Sequence, residues 1–325
     1  MSRANRATWL AAATLVGAFA GGCKARGAAS GSFDRTLMVS GPLRLEMTNG
    51  SGDSRVTAGP TGQVQIHGDI HVKAWSTESG RRRATEIEEN PPISQEGNLI
   101  RVGGVSKRTG DVSIDYTIVV PADTALRGIT GSGDMEVNGI KGPVNFLAGS
   151  GNISASGIGS DVQAMAGSGD LQLSDVQGHV QVTAGSGNIT LNEVRGESRL
   201  QTGSGDLKIV QAGDAVVANT GSGKITVTGA SADLRLHGAS SEVNVDGNPG
   251  ASNFWDFRTS SGNVTLHVPS SASFRFYARS SSGSIEAQIP IIMEGTAGKH
   301  ELRARIGDGK ARVEVETSSG NIAIR

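Results

Sequence analysis

The tripeptide Gly-Ser-Gly begins at residues 131, 149, 167, 185, 203 and 221, so five successive intervals are each 18 residues. No other feature of the chain restricts its fold as strongly. Aligned on the tripeptide, each unit reads G-S-G-[D/N/K]-h-x-h-x-x-h-x-x-x-h-x-h-x-a, where h is usually aliphatic and a is Ala, Thr or Gly. A fixed short period of this kind marks a solenoid, in which each unit is one coil that buries its apolar side chains only by stacking on its neighbours. Glycine, at 47 residues, has no collagen period, and only nine prolines accompany it. Alternating aliphatics and scarce aromatics favour strands.

Two runs of period two within each 18-residue unit imply two short walls per coil. In the unit at Gly167 the inward positions are Leu171, Leu173, Val176, Val180 and Val182; in the next they are Ile189, Leu191, Val194 and Leu200, with Ser198 as the exception. Four or five buried aliphatics per coil, at ~1.5 to 3 kcal/mol each, supply the driving force against chain entropy. The fold class is therefore all-β, a parallel β-helix-like solenoid capped at both ends by less regular β structure.

The chain divides accordingly. Residues 1–22 carry Arg3 and Arg6, an apolar run and small residues, the pattern of a secretory signal. The following residue, Cys23, is the sole cysteine, so no intramolecular disulfide forms. Small residues before it resemble a bacterial lipobox, which implies lipidation at Cys23, although Ala20 stands where Leu is more usual. Residues 23–32 read as the lipidated Cys and a flexible tether, 33–130 as an N-terminal β region, 131–250 as the regular array, and 251–325 as C-terminal coils and cap. Residues 76–98, with charge, Gly and Pro91-Pro92, read as a long loop or irregular excursion. Six of the twelve aromatics fall between Phe254 and Tyr277, where the period loosens, as a cap requires.

The repeated units, the lead-in Asp115-Tyr116-Thr117-Ile118-Val119-Val120-Pro121 and the closing stretch Val313 to Ile322 together resemble the bacterial DUF4097 family of adhesin-like β-strand-repeat proteins. The resemblance covers roughly residues 33–325. It implies a β-helix-like protein exposed at the cell surface and says little about activity, because what recurs is turn and core chemistry.

Candidate chemistry is sparse. Position four of the array forms a column, Asp134, Asn152, Asp170, Asn188, Asp206 and Lys224. Stacked oxygens suit calcium, yet the calcium β-roll motif is absent and Lys224 stands in register. A turn ladder, with Asp and Asn bonding turn amides and Gly supplying positive φ, is the simpler reading. His67, Asp69 and His71 share one strand face, but at ~3.3 Å per residue the histidines lie ~13 Å apart, too far for one ion. No metal, cofactor or phosphate cradle is expected.

Outward strand positions offer mostly Ser, Thr, Asn, Gln and isolated charges rather than the paired groups that hydrolysis of glycans requires. Asp233 and Arg235 are explained by a surface ion pair, and Trp255 with Phe254 and Phe257 by a core or cap. The remaining candidate is a recognition face formed by Gln172, Thr190, Lys208 and Thr226 with Arg199, continuous with Ser154 and flanked by Gln163, Gln181 and Arg235. The same wall also serves solubility. With 28 basic and 31 acidic residues after removal of 1–22, net 28 − 31 = −3, nucleic acid is excluded as a partner. The function expected is non-catalytic: an envelope lipoprotein serving as adhesin or scaffold, with a glycan or protein partner and the membrane reached through the lipid anchor. A glycan- or calcium-binding module is the alternative, and a polysaccharide-active enzyme ranks below both.

Overall fold

The computed structural model describes residues 27–103, 112–294 and 298–325. The signal segment and Cys23 lie outside them. Two long sheets face each other across one continuous apolar core, and most strand pairs are parallel.

The regular coils alternate between the sheets. One wall is built from β8 (Ala125–Thr130), β10 (Val144–Ala148), β12 (Val162–Ala166), β14 (Val180–Ala184), β16 (Ser198–Thr202), β18 (Val216–Ser222) and β20 (Leu234–Ser240). The other wall holds β9 (Met135–Asn138), β11 (Ile153–Ile158), β13 (Leu171–Val176), β15 (Ile189–Val194), β17 (Leu207–Ala212), β19 (Ile225–Ala230) and β21 (Val243–Gly247). Equivalent residues pair in register, as in Leu171 with Ile189 and Val180 with Ser198. The two-walled coil inferred from the period is the one observed, and every inward residue named for the units at Gly167 and Gly185 is buried. Ser198 sits among them at 0% exposure, between Val180 and Val216, and its hydroxyl has no partner.

The Gly-Ser-Gly turns owe their glycines to crowding. A Cβ on Gly169 would lie 1.9 Å from the carbonyl oxygen of Gly151 in the adjacent coil, and one on Gly187 1.9 Å from that of Gly169. Positive φ, the conformation expected for these turns, occurs at only Gly223 among the tripeptide glycines. The left-handed column lies instead at the ninth position of each unit, through Gly139, Gly157, Asp175, Glu193, Gln211 and Gly229. It falls one residue before the end of strands such as β13 and β15, whose last residues, Val176 and Val194, turn inward.

Strand order departs from chain order at both ends. β1 (Gly27–Met38) and β4 (Gln63–Ala74) form an antiparallel edge against β7 (Val112–Pro121), while β2 (Arg44–Asn49) and β3 (Ser54–Gly59) make the coil on which β8 and β9 stack. β6 (Leu99–Gly103) and β7 lie outside that coil, with β5 (Ile93–Glu96) at the edge of β6. Residues 27–32, expected in a tether, are strand because β1 pairs with β4 along its whole length.

The stretch 76–98 is also more ordered than its composition implies. Helix α1 (Thr77–Glu89) starts at a Ser76/Ser79 capping box and buries Gly80, Ala84 and Ile87. Its Glu88 side chain accepts from Ser32 N–H at 3.1 Å, so the helix covers the outermost strand and blunts an exposed sheet edge.

At the other end β22 (Phe254–Thr259) and β23 (Val264–His267) continue the walls. The chain then runs through β24 (Phe274–Ser280), β25 (Ile285–Ala287), β26 (Ile292–Met293) and β27 (Glu301–Ile306) before returning as β28 (Ala311–Thr317) and β29 (Ile322–Ile324). That last coil inserts between β22/β23 and β24/β25. Trp255, Phe257, Phe274 and Phe276 fill the core there, all within 2% exposure. The Trp255 indole N–H donates to Ala232 O at 2.7 Å, so this aromatic cluster is a packed cap. Among the described residues no helix is long and apolar enough to cross a membrane.

Candidate functional site

The column at position four forms a hydrogen-bonded ladder. Asp134 N–H donates to Asp53 Oδ1 at 3.0 Å, Asn152 N–H to Asp134 Oδ1 at 2.8 Å, and Asp170 N–H to Asn152 Oδ1 at 2.9 Å. The series continues through Asn188 and Asp206 to Lys224 N–H, 2.7 Å from Asp206 Oδ1. Each side chain thus satisfies an amide of the coil above, in a turn where that N–H has no strand partner. At Lys224 an ammonium takes the place of an acceptor and pairs with Glu242 at 3.4 Å. One oxygen of every Asp and Asn is committed to this role.

A second ladder runs on the opposite side of the coils. Asp161 Oδ1 accepts from His179 N–H at 2.8 Å, His179 Nδ1 from Glu197 N–H at 3.2 Å, and Asp233 Oδ1 from Phe254 N–H at 2.8 Å. Asp233 therefore serves the backbone, and the expected ion pair with Arg235 does not form.

Gln172, Thr190, Lys208 and Thr226 stand in register on adjacent strands, preceded by Ser154. The row extends to Asp34, His67, Thr117, Arg55 and Glu136 on one side and to Asn244 and Thr265 on the other. Arg199 does not join it. With Gln163, Gln181 and Arg235 it belongs to the other sheet, so the residues grouped from the sequence divide between two opposite faces. The reason is parity: nine residues separate Thr190 from Arg199, half a coil, which carries the chain across to the second wall. On that second face Arg199, Gln163 and Gln181 line an open cleft of about 500 Å³ together with Asn145, Arg127 and Glu46.

The histidines of β4 stay apart. His67 Nδ1 lies 2.8 Å from Asp34 and its Nε2 3.3 Å from Asp69, while His71 Nε2 lies 3.1 Å from Asp115. The hydrogen bond to Asp34, with the charge of Asp69, raises the His67 pKa above its ordinary 6.5 despite slight desolvation. Arg55, 2.8 Å from Glu136, holds that carboxyl below the usual range. Among the described residues no group of three or more His, Cys, Asp or Glu side chains is placed to hold a metal ion.

Sequence reasoning missed the C-terminal cluster on the second face. Asp256 is buried there at 7% exposure, accepting from Arg258 Nε at 2.9 Å, with His237 Nε2 3.6 Å away. Arg258 and His237 sit two and nineteen positions from Asp256 and meet only through the pairing of β20 with β22.

The turn column, the two parallel walls and the closing coil together describe a recurring architecture, and the model of one family, described as Toastrack DUF4097, matches residues 68–253 and 217–325. The chain belongs to the DUF4097 family. Its Toastrack fold accounts for two sheets without a closed barrel. A putative adhesin from Bacteroides fragilis is 12% identical over 91% of this chain and 97% of its own, with a TM-score of 0.36. A putative lipid binding protein from Parabacteroides distasonis is 12% identical over 90% and 96%, with a TM-score of 0.41. A putative cell adhesion protein from Clostridium sporogenes is 13% identical over 90% and 99%, with a TM-score of 0.26. No curated protein matches the sequence.

Proposed function

We propose that this DUF4097 chain is a non-catalytic envelope protein, anchored through a lipid at Cys23, that presents its sheet faces as an adhesive or scaffolding surface. The observation carrying this reading is the polar row from Asp34 to Thr265, held in register across one entire sheet. Such a wall offers many weak donors and acceptors on a rigid support, which suits recognition of an extended partner by summed contacts. Transfer out of the cytoplasm is supported by the signal-like segment before Cys23 and by the adhesin descriptions of similar proteins. The calcium-binding alternative is less well supported, because one oxygen of each ladder Asp and Asn already receives an amide hydrogen.

The reading is tested by expressing the full chain and Cys23→Ala with radiolabelled palmitate, then fractionating the cells. Label on the wild type alone, with the wild type in the membrane fraction and the variant released, is the expected result. An unlabelled wild type in the soluble fraction would sink the anchor.

A further inference from the structure

Two strand pairings, one of them made by the inserted last coil, bring three arginines into one row on the second sheet. Arg312 of β28 stands opposite Arg275 of β24, and Arg275 stands opposite Arg305 of β27. Neighbouring strands are ~4.8 Å apart, and like charges directly opposite one another destabilise a sheet. Arg305 has Glu294 at 3.7 Å and Arg312 has Glu314, but Arg275 has no carboxylate within 4.0 Å among the described residues. Among the described residues the fold thus holds an exposed guanidinium with no salt-bridge partner between two others that have one.

The surroundings are those of a ligand cleft. In the adjoining row Tyr277 lies half-buried, with the Arg303 guanidinium 5.2 Å from its ring centroid. Arg275, Tyr277, Arg303 and Arg312, with Glu294 and Glu314, line a hollow of about 360 Å³. The turn through Gly309 closes onto the arginine stems: a Cβ there would lie 2.8 Å from Arg305 Cδ and 3.3 Å from Arg275 Cγ. Confining those stems lowers the entropy lost when the guanidinium groups engage a ligand.

We infer that this cleft binds an acidic polysaccharide. Planar guanidinium groups take carboxylate or sulfate oxygens in pairs. The Tyr277 ring gives a flat apolar surface for a sugar's C–H face, and the two glutamates accept from sugar hydroxyls, which a ligand made only of acids would not require. A lipid surface fits poorly, because the tyrosine is recessed between charges and two carboxylates share the hollow with it. Nucleic acid fits poorly too, since the chain has a net charge of −1. The site is on the opposite sheet from the Gln172 to Thr226 row and does not depend on lipid anchoring.

The experiment measures binding of the full chain to polygalacturonate, dextran sulfate, neutral dextran, phosphatidylglycerol vesicles and single-stranded DNA across a salt series. Arg275→Gln is compared with Lys208→Gln on the other face, and each variant is melted. Saturable, salt-weakened binding to polygalacturonate or dextran sulfate is expected, with neutral dextran inert. The stronger of the two identifies the acid as carboxylate or sulfate ester. Arg275→Gln should weaken that binding at least ~10-fold, a loss of one charge-assisted contact, while its Tm holds or rises because repulsion is relieved. Lys208→Gln should bind as the wild type does. Absence of binding to both acidic polymers at low salt, or binding that survives Arg275→Gln, overturns the proposal. Vesicles or DNA bound as tightly, with the same Arg275 dependence, overturn it as well.

Discussion

Replacing Gly169 by Ala tests the stacking of the turns directly. The added Cβ would lie 1.9 Å from Gly151 O, against about 3.4 Å for an ordinary contact, so a gap of 3.4 − 1.9 = 1.5 Å must open. Because the obstructing atoms are backbone, no side chain can swing aside. Opening the turn loosens two hydrogen bonds to the coil beneath, Asp170 N–H to Asn152 Oδ1 at 2.9 Å and Ser168 N–H to Gly149 O at 3.1 Å. At ~1 kcal/mol for each bond and ~1 to 3 kcal/mol for overpacking, the loss is about 3 to 5 kcal/mol. Gly50→Ala is the control, since a Cβ at Gly50 meets nothing within 4 Å. It should change stability by less than ~1 kcal/mol in either direction. Hydrogen exchange read peptide by peptide suits a repeat array, whose coils need not unfold together. Protection should fall in the coils on either side of Gly169 and remain unchanged for Gly50→Ala. Equal effects of the two substitutions, or a loss below ~1 kcal/mol at Gly169, would refute the crowding argument.

Three further outcomes follow from single residues. Ser198→Val fills a core column with the residue found on both sides of it and removes an unpartnered buried hydroxyl, so it should stabilise by ~1 to 3 kcal/mol, read as a raised urea midpoint. Glu193→Gly relieves a left-handed backbone at φ 55 and, after the entropy cost of glycine, should gain ~0.5 to 1 kcal/mol; a lowered midpoint would contradict the strain. His67 should titrate above 6.5 by NMR, and Asp34→Asn should bring its pKa down. Because the folded pKa is the higher one, the ion-pair stabilisation is complete below about pH 6.5 and disappears as pH rises through the raised value. With the ring 39% exposed, solvent screening keeps that contribution small.

The array was legible because one turn and one inward pattern repeat at a constant interval, and Leu171, Val180 and their equivalents could be placed from spacing alone. The ends were less legible for a physical reason. Alternation reports which face of a strand is buried but not which coil lies beside it, so the insertion of β28 and β29 between earlier coils left no local mark. The arginine row shares this cause in part: Arg312 meets Arg275 only through that insertion, while Arg305 reaches Arg275 through the antiparallel pairing of β24 with β27. Helix α1 did leave a signal, in the Ser76 and Ser79 cap and the Gly80, Ala84, Ile87 spacing, but three arginines and a Pro-Pro pair outweighed it. The division of Arg199 from Thr190 needed only the half-coil count. The ninth-position column was half visible, since Gly139, Gly157 and Gly229 mark it while Asp175, Glu193 and Gln211 conceal it.

The central claim, that the polar row of the first sheet is a recognition surface, is tested most directly by binding to isolated envelope fractions. The wild type is compared with a variant carrying Gln172→Glu, Thr190→Lys and Lys208→Glu, whose outward side chains leave the core untouched and set opposite charges against each other on adjacent strands. Saturable binding by the wild type, lost in the triple variant while its melting curve is preserved, is the predicted result. Equal binding by the two proteins, or none by the wild type, would contradict it.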